Sequence, residues 1–342
     1  MRNQPFTPSA VPPTGQTTCH DRDGREIPCL GSGQDAAHNG LASAWPDRFA
    51  PAGHGLVADR LTGLLWPMDA GLAGFPLPWA EALVLVAGFA RDRLLGRNDW
   101  RLPNRRELRS LVSYGAARPS LPPGHPFRNV FLGWHWSSTT AAPAPGYAWY
   151  VHLEGGRMFY GKKDQDCLCW PVAGTCQLPQ TGQDRCFDAG GKEIPCPVSG
   201  QDGEIRSGTP WPKPRFVPAG AAGSGEAVLD RLTGLAWAKR ADAAGGPVAW
   251  EEALAVAAAY GHGGWRLPDI NELESLVDAG EAFPALPAGH PFTDVGEAYW
   301  SSTTSAFEKN WAHALYLHKG AVGVGFKSGR EFLVWPVRGP RS

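Results

Sequence analysis

Long apolar runs are the first thing this sequence lacks. The longest, Ala82–Ala90, is bounded by Glu81 and Arg91, far short of the roughly 20 residues that a membrane-spanning helix needs, so no membrane span is expected. An excess of either charge is missing too: 32 Lys and Arg stand against 33 Asp and Glu, for a net charge of −1. Nucleic-acid binders neutralise phosphates with a basic surface, which argues against that partner class. Catalytic signatures are also absent. There is no Walker loop, no HExxH, no GxSxG and no dinucleotide-binding GxGxxG ahead of a helix. The glycines of Gly320–Gly325 fall in a strand-like stretch and read as a packing site or flat turn. The ten histidines do not cluster. His125 and His290 recur in a GHPF loop, where an architectural hydrogen bond is the expectation. The N-terminus, MRNQPFTPSAVPPTGQ, has no apolar signal core and reads as a Pro-rich arm.

What is abundant is Gly (43), Pro (32) and Trp (15). Gly and Pro at this level imply a loop-rich fold with many tight turns. The tryptophans imply large core plugs or a surface of binding aromatics. The hydrophobic share, 43%, is that of an ordinary globular chain.

The chain also repeats itself. TGQTTCHDRDGREIPCLGSGQD (Thr14–Asp35) returns as TGQDRCFDAGGKEIPCPVSGQD (Thr181–Asp202), and DRLTGLLW (Asp59–Trp66) as DRLTGLAW (Asp230–Trp237). Trp100–Phe127 matches Trp265–Phe292 at 18 of 28 positions without a gap, WSSTT occurs at Trp136 and Trp300, and WPV at Trp170 and Trp335. A period of about 170 residues means tandem globular modules, not a solenoid. The division is a Pro-rich arm (1–13), a first module (14–173), a linker (174–180) and a second module (181–342). In each module the spacing predicts a helix, over Trp79–Arg91 and Trp250–Tyr260. A second helix follows a capping box, Asn104 with Glu107 and Asp269 with Glu272. Beyond the GHPF loop come short segments of alternating aromatic and β-branched residues, read as antiparallel strands. Helices followed by a meander give an α+β class.

DRLTGLxW, a W-x-x-AL helix, WRLPxxxEL, WSSTT and a closing V-x-P-V-R strand, in that order, resemble the Lcl C-terminal-domain family over Asp59–Val172 and Asp230–Arg338. The resemblance implies a C-type lectin-like fold: two tandem modules, each with two helices, a small antiparallel sheet and a long loop region. It also implies binding and not catalysis, by an extracellular or cell-surface, adhesin-like protein. The first module departs from the pattern in RDRLLGRND before its WRLP and in ending with Ala173 where the second has Arg338. One enzyme shares the broad fold, the formylglycine-generating type, which uses reactive cysteines late in the chain; the second module has none after Cys196. Asn98–Asp99–Trp100 is similar to the calcium triplet of sugar-binding lectins, but Gly263–Gly264–Trp265 stands in its place in the second module. Calcium is therefore considered for the first module alone, and no other cofactor is expected.

Cys19 and Cys29 are spaced as Cys186 and Cys196 are. A metal pair would need further Cys or His ligands, and none stands at ligand spacing. Two disulfides are expected instead, each closing a small loop around a DxxG turn (Asp21–Gly24, Asp188–Gly191), and they suit an oxidising compartment. Cys167 and Cys169 share one face of a strand and align with Phe332 and Val334, so they read as core, with a bridge from one of them to Cys176 left open. Arg101–Glu107 and Arg266–Glu272 read as structural ion pairs, and Asp59–Arg60 and Asp230–Arg231 as turn anchors. Between WSSTT and WPV the two copies keep a scaffold and change its side chains. The candidate ligand-binding residues are Tyr147, Trp149, Tyr150, His152 and Tyr160 in the first module, and Phe307, Trp311, His313, Tyr316 and His318 in the second. Half of a strand's residues point inward, so Trp149 and Trp311 are equally candidates for core. The expected partner is a protein or glycan. The rival expectation is a structural subunit that self-assembles into a filament or coat through the same faces.

Overall fold

The computed structural model describes residues 11–39, 47–219, 226–261 and 263–339; the expected arm therefore lies outside the described residues up to residue 10. The first copy runs β1 (Cys19–His20), β2 (Glu26–Ile27), α1 (Asp35–Asn39), β3 (Phe49–Pro51), β4 (Leu56–Asp59), β5 (Leu65–Pro67), α2 (Trp79–Arg91), α3 (Arg105–Ser110), β6 (Trp134–Thr140), β7 (Tyr147–His152) and β8 (Met158–Lys162). The second runs β9 (Cys186–Phe187), β10 (Glu193–Ile194), α4 (Asp202–Ile205), β11 (Phe216–Pro218), β12 (Ala227–Asp230), β13 (Ala236–Ala238), α5 (Trp250–Ala259), α6 (Ile270–Ser275), β14 (Tyr299–Thr304), β15 (Trp311–Tyr316), β16 (Ala321–Phe326) and β17 (Val337–Arg338). This is a mixed α and β architecture with few helices and several small antiparallel sheets.

The predicted helices form where apolar residues recur at helical spacing. Trp79, Ala82 and Val86 are the buried face of α2, and Trp250, Ala253, Leu254 and Ala257 that of α5. Both capping boxes close. Asn104 Oδ1 accepts from the Glu107 amide and the Glu107 carboxylate from the Asn104 amide, and Asp269 and Glu272 repeat the exchange. The Arg–Glu ion pairs form as expected, with Arg101 Nη1 donating to Glu107 Oε2 at 2.5 Å and Arg266 Nη1 to Glu272 Oε2 at 2.7 Å. The turn anchors differ from expectation in one partner. Asp59 is bound by Arg48 (2.9 and 2.8 Å) and Asp230 by Arg215 (3.1 and 2.8 Å), while Arg60 and Arg231 are exposed.

The sheets depart from the expectation of one small sheet per module. β6–β8 and β14–β16 are one six-stranded sheet in the order β6-β7-β8-β16-β15-β14, joined where Met158 of β8 faces Val322 of β16. Each meander ends in a strand with one unpaired edge, and pairing the two edges satisfies both. Successive residues of a strand point to opposite faces. Trp149 and Val151 of β7 join a central core with Leu108 and Val112 near α3 and Leu273 and Val277 near α6. Ala148 points the other way, into a cluster with Trp136 and the α2 residues Trp79 and Ala82; α5 covers the matching end beside Trp300.

The repeated Cys segments read in sequence as lead-ins, each to the module that follows. In the structure each is a hook seated on the other module. In the first hook (14–35), Asp35 Oδ2 accepts from Thr303 Oγ1 at 2.8 Å, and the carbonyls of His20 and Asp21 accept from Lys327 Nζ at 3.0 and 3.1 Å. In the second hook (181–202), Asp202 Oδ2 accepts from Thr139 Oγ1 at 2.7 Å, and Phe187 and Asp188 accept from Lys163 Nζ at 3.1 Å each. Both lysines lie 4.1 Å from a tryptophan ring centre, Lys163 over Trp79 and Lys327 over Trp250, where a cation gains further attraction. The two expected disulfides are present, Cys19–Cys29 and Cys186–Cys196, each around a turn in which Gly24 or Gly191 donates to Asp21 or Asp188 at 3.1 Å. No bridge involves the other cysteines. Cys167 and Cys169 belong to the cluster under α2 and Cys176 to the central core, so the open possibility of a bridge falls. Burial pushes the thiols of Cys167 and Cys169 up to about 12, well away from the reactive thiolate range.

Candidate functional site

α2 and α5 cover only the ends of their sheet face, which leaves its middle, where β8 meets β16, lined with rings. Trp134 lies 4.0 Å from Tyr150, 4.6 Å from His152 and 6.4 Å from Phe159, centre to centre, and Phe159 lies 6.3 Å from Tyr316. Tyr316 continues the row to Phe332 at 5.6 Å and His318 at 6.5 Å. Glycines flatten the floor beneath. A Cβ at Gly161 would stand 2.2 Å from the Tyr150 ring, and one at Gly323 2.7 Å from Tyr316 and 3.1 Å from Phe159. Gly323 and Gly325 are therefore packing sites within β16, while Gly320, with φ of 81°, belongs to the turn before it. The ring row crosses both modules, so their aromatic residues form one tract and not two separate sites.

The copies differ along this tract, Tyr150, His152 and Phe159 standing where the second module has Ala314, Tyr316 and Gly323, and one further difference opens a hollow. Leu168 donates to the Trp134 carbonyl at 3.1 Å and Leu333 to the Ala298 carbonyl at 3.0 Å, which makes Trp134 and Ala298 equivalent positions. In the first module the indole fills the space beside His152. In the second, alanine leaves a hollow of about 470 Å³ with Tyr316, Phe332 and Leu333 on its floor. Glu297, Glu331, His318 and Lys319 stand around it. Burial, and secondarily the Glu331 carboxylate, hold the Tyr316 phenol above its ordinary value. His318 is oriented by the Glu297 carbonyl, 3.0 Å from its amide and 3.1 Å from Nδ1. An apolar floor with acceptors and donors around it suits a ligand that has both apolar and hydrogen-bonding faces.

Of the ten candidates, Tyr150, His152, Tyr316 and His318 belong to this tract. Tyr147 and Tyr160 form a separate pair on the other face of the sheet, 5.9 Å apart, and Trp311 lies 5.7 Å from Phe326. Phe307 is an exposed loop ring 4.9 Å below the Arg118 guanidinium. Two expectations are corrected. Trp149 is enclosed beneath Arg105, whose guanidinium is 3.9 Å from its ring, and His313 is fully buried against Tyr114 at 4.6 Å. They occupy the same place in the two copies, facing α3 and α6, and neither reaches the surface. The GHPF histidines form their architectural hydrogen bonds through the backbone, the His125 amide donating to the Pro122 carbonyl at 3.2 Å and the His290 amide to Pro287 at 3.1 Å. Nδ1 of His125 and of His290 has no hydrogen-bond partner, and each ring instead stacks on a phenylalanine at 5.9 Å. Asp99 of the triplet considered for calcium is engaged by Arg97 at 2.7 Å and by the Gly174 amide at 3.0 Å.

Trp134, Phe159, Ala298, Glu297, Glu331 and Phe332 escape the sequence reading. The available signal is one extra residue ahead of WSSTT in the first module, where GWHW stands against AYW. Among the described residues, no helix is long and apolar enough to cross a membrane, and no three His, Cys, Asp or Glu gather as a metal site. The family model for the Lcl C-terminal domain matches residues 55–173 and again 226–338. No curated protein and no solved structure matches the chain.

Proposed function

The chain belongs to the Lcl C-terminal domain family, in two copies, and from that premise we propose that it is a non-enzymatic, adhesin-like binding protein working outside the cytoplasm. We read its fold as C-type lectin-like, on the motif resemblance. Its ligand is a protein or glycan held in the hollow beside Tyr316, with the ring row toward Trp134 extending the contact. The observation behind this reading is the exchange of Trp134 for Ala298, which opens one copy of a place that the other fills. Flat rings give large contact area at little entropic cost, and the two disulfides suit an oxidising compartment.

The test is Ala298→Trp, which puts an indole where the first module carries Trp134. Glycan and protein arrays should lose their signal while the melting temperature stays within a few degrees; undiminished binding would move the site elsewhere. Tyr316→Ala should weaken binding at least tenfold by the same assay.

One observation favours the rival reading of self-assembly. α2 presents an apolar groove of about 530 Å³ with Phe75 69% and Val84 73% exposed, where the second module has Gly246 and Ala255. Contiguous exposed apolar surface of this kind marks interaction sites. Light scattering decides between the two: a monomer across the accessible concentration range rejects assembly.

A further inference from the structure

Each disulfide loop ends in a short turn, Leu30–Gly33 in the first hook and Pro197–Gly200 in the second. The backbones agree: Gly31 and Gly33 have φ of 77° and 70°, Val198 and Gly200 of 68° and 67°. Ser32 and Ser199 each donate to the preceding cysteine carbonyl at 3.0 Å. In the second hook this turn holds a carboxylate. The Val198 amide donates to Glu204 Oε1 at 2.6 Å, the Gly200 amide to Oε2 at 2.7 Å and Ser199 Oγ to Oε2 at 3.1 Å. Backbone N–H groups converging in this way form an anion-binding concavity. Burial alone would raise the Glu204 carboxyl, yet these donors hold it below its ordinary value. They also fix the turn firmly enough for Val198, a β-branched residue, to remain in the left-handed region that favours glycine.

The residue equivalent to Glu204 in the first hook is Ala37. Its backbone follows the same path, with Ala37 donating to Gln34 at 3.0 Å as Glu204 donates to Gln201 at 3.1 Å. The first turn therefore keeps the geometry of the concavity without the carboxylate. Among the described residues, the amides of Gly31 and Gly33 have no protein acceptor. Leu30 beside them is 98% exposed.

We propose that the turn Leu30–Gly33 is a receptor for a carboxylate supplied from outside the chain, held by the Gly31 and Gly33 amides and Ser32 Oγ, with Leu30 as the adjoining apolar contact. The carboxylate belongs either to an acidic side chain of a partner protein or to a free carboxylic acid. This site is independent of the hollow beside Tyr316 and stands or falls separately.

The test is amide NMR on the isotope-labelled full chain, titrated with acetate, with the peptide acetyl-Leu-Glu-amide and with chloride at matched ionic strength. Saturable shifts of the Gly31 and Gly33 amides with the two carboxylates, and not with chloride, are expected. Ala37→Glu should fill the concavity from within, as Glu204 does, and abolish the response without loss of folding. Glu204→Ala should create the same response at Val198 and Gly200. A peptide affinity at least tenfold above that of acetate assigns the carboxylate to a protein side chain, and equal affinities assign it to a free acid. Unresponsive Gly31 and Gly33 amides, or an equal response to chloride, overturn the proposal.

Discussion

His135 and His313 are fully enclosed, and burial pushes their imidazoles down to about 4 and about 3. Both are therefore neutral in the folded protein at pH 5, while the same side chains in the unfolded chain take up protons below about 6.5. The unfolded state then binds more protons, so stability falls as pH drops from about 6.5 toward those lower values, by about 1.4 kcal/mol per pH unit for each histidine. Asp202, raised by burial to about 6, acts in the opposite sense, stabilising the fold as pH falls from about 6 toward 3.8. His313→Phe removes one of the two histidines and should make the denaturant midpoint less sensitive between pH 7 and pH 5; an unchanged slope would mean that His313 is protonated in the fold. The burial of His313 is only half legible in sequence. Alternation along β15 puts it opposite Ala312 and Ala314, but which face turns inward depends on α3 and α6, and no local pattern encodes that.

At the level of elements, what the sequence reveals is what is local. α2, α5 and the capping boxes are readable because their partners lie three to seven residues apart. The join of β8 to β16 is not readable, since Met158 and Val322 are ordinary apolar strand residues and nothing nearby distinguishes a paired edge from a covered one. The hooks are similar. Their repeated motif is plain, but the seat that each takes is formed by residues of the other module. Lys327 is the clip of the first hook, donating also to Thr304 Oγ1 at 3.0 Å. Lys327→Met keeps much of the apolar stem and removes these donors. The expected result is a loss of about 1–3 kcal/mol together with new tryptic cleavage at Arg22 or Arg25. Resistance to trypsin equal to that of the parent chain would show that the hook stays seated without its clip.

The whole molecule has one central core to which both copies contribute, including Leu111 and Leu276 at the ends of α3 and α6. Arg106 of the first module donates to the Ser275 and Val277 carbonyls of the second at 3.2 and 2.7 Å, and Arg109 to Asn271 Oδ1 at 2.6 Å. Modules joined in this way should unfold together. Fluorescence and circular dichroism should report a single coincident transition. Leu276→Ala, at a cost of about 2–5 kcal/mol, should lower all of it, whereas two separable transitions would mean that each copy is a folding unit of its own. Two modules in tandem are evident from sequence; their fusion is not, because duplication announces how many copies exist and says nothing of how they meet.

The crossed seating of the hooks also sets an order of events during synthesis. The second hook emerges after Thr139 and Lys163 and finds its seat already made. The first hook leaves the ribosome before either seat exists, yet Asp35 is bound by Thr303, 268 residues later. Cys19 and Cys29 are thus available for oxidation on a loop with nowhere to dock until Thr303 and Lys327 have been translated. A contact between copies must therefore wait on residues made long after the hook itself.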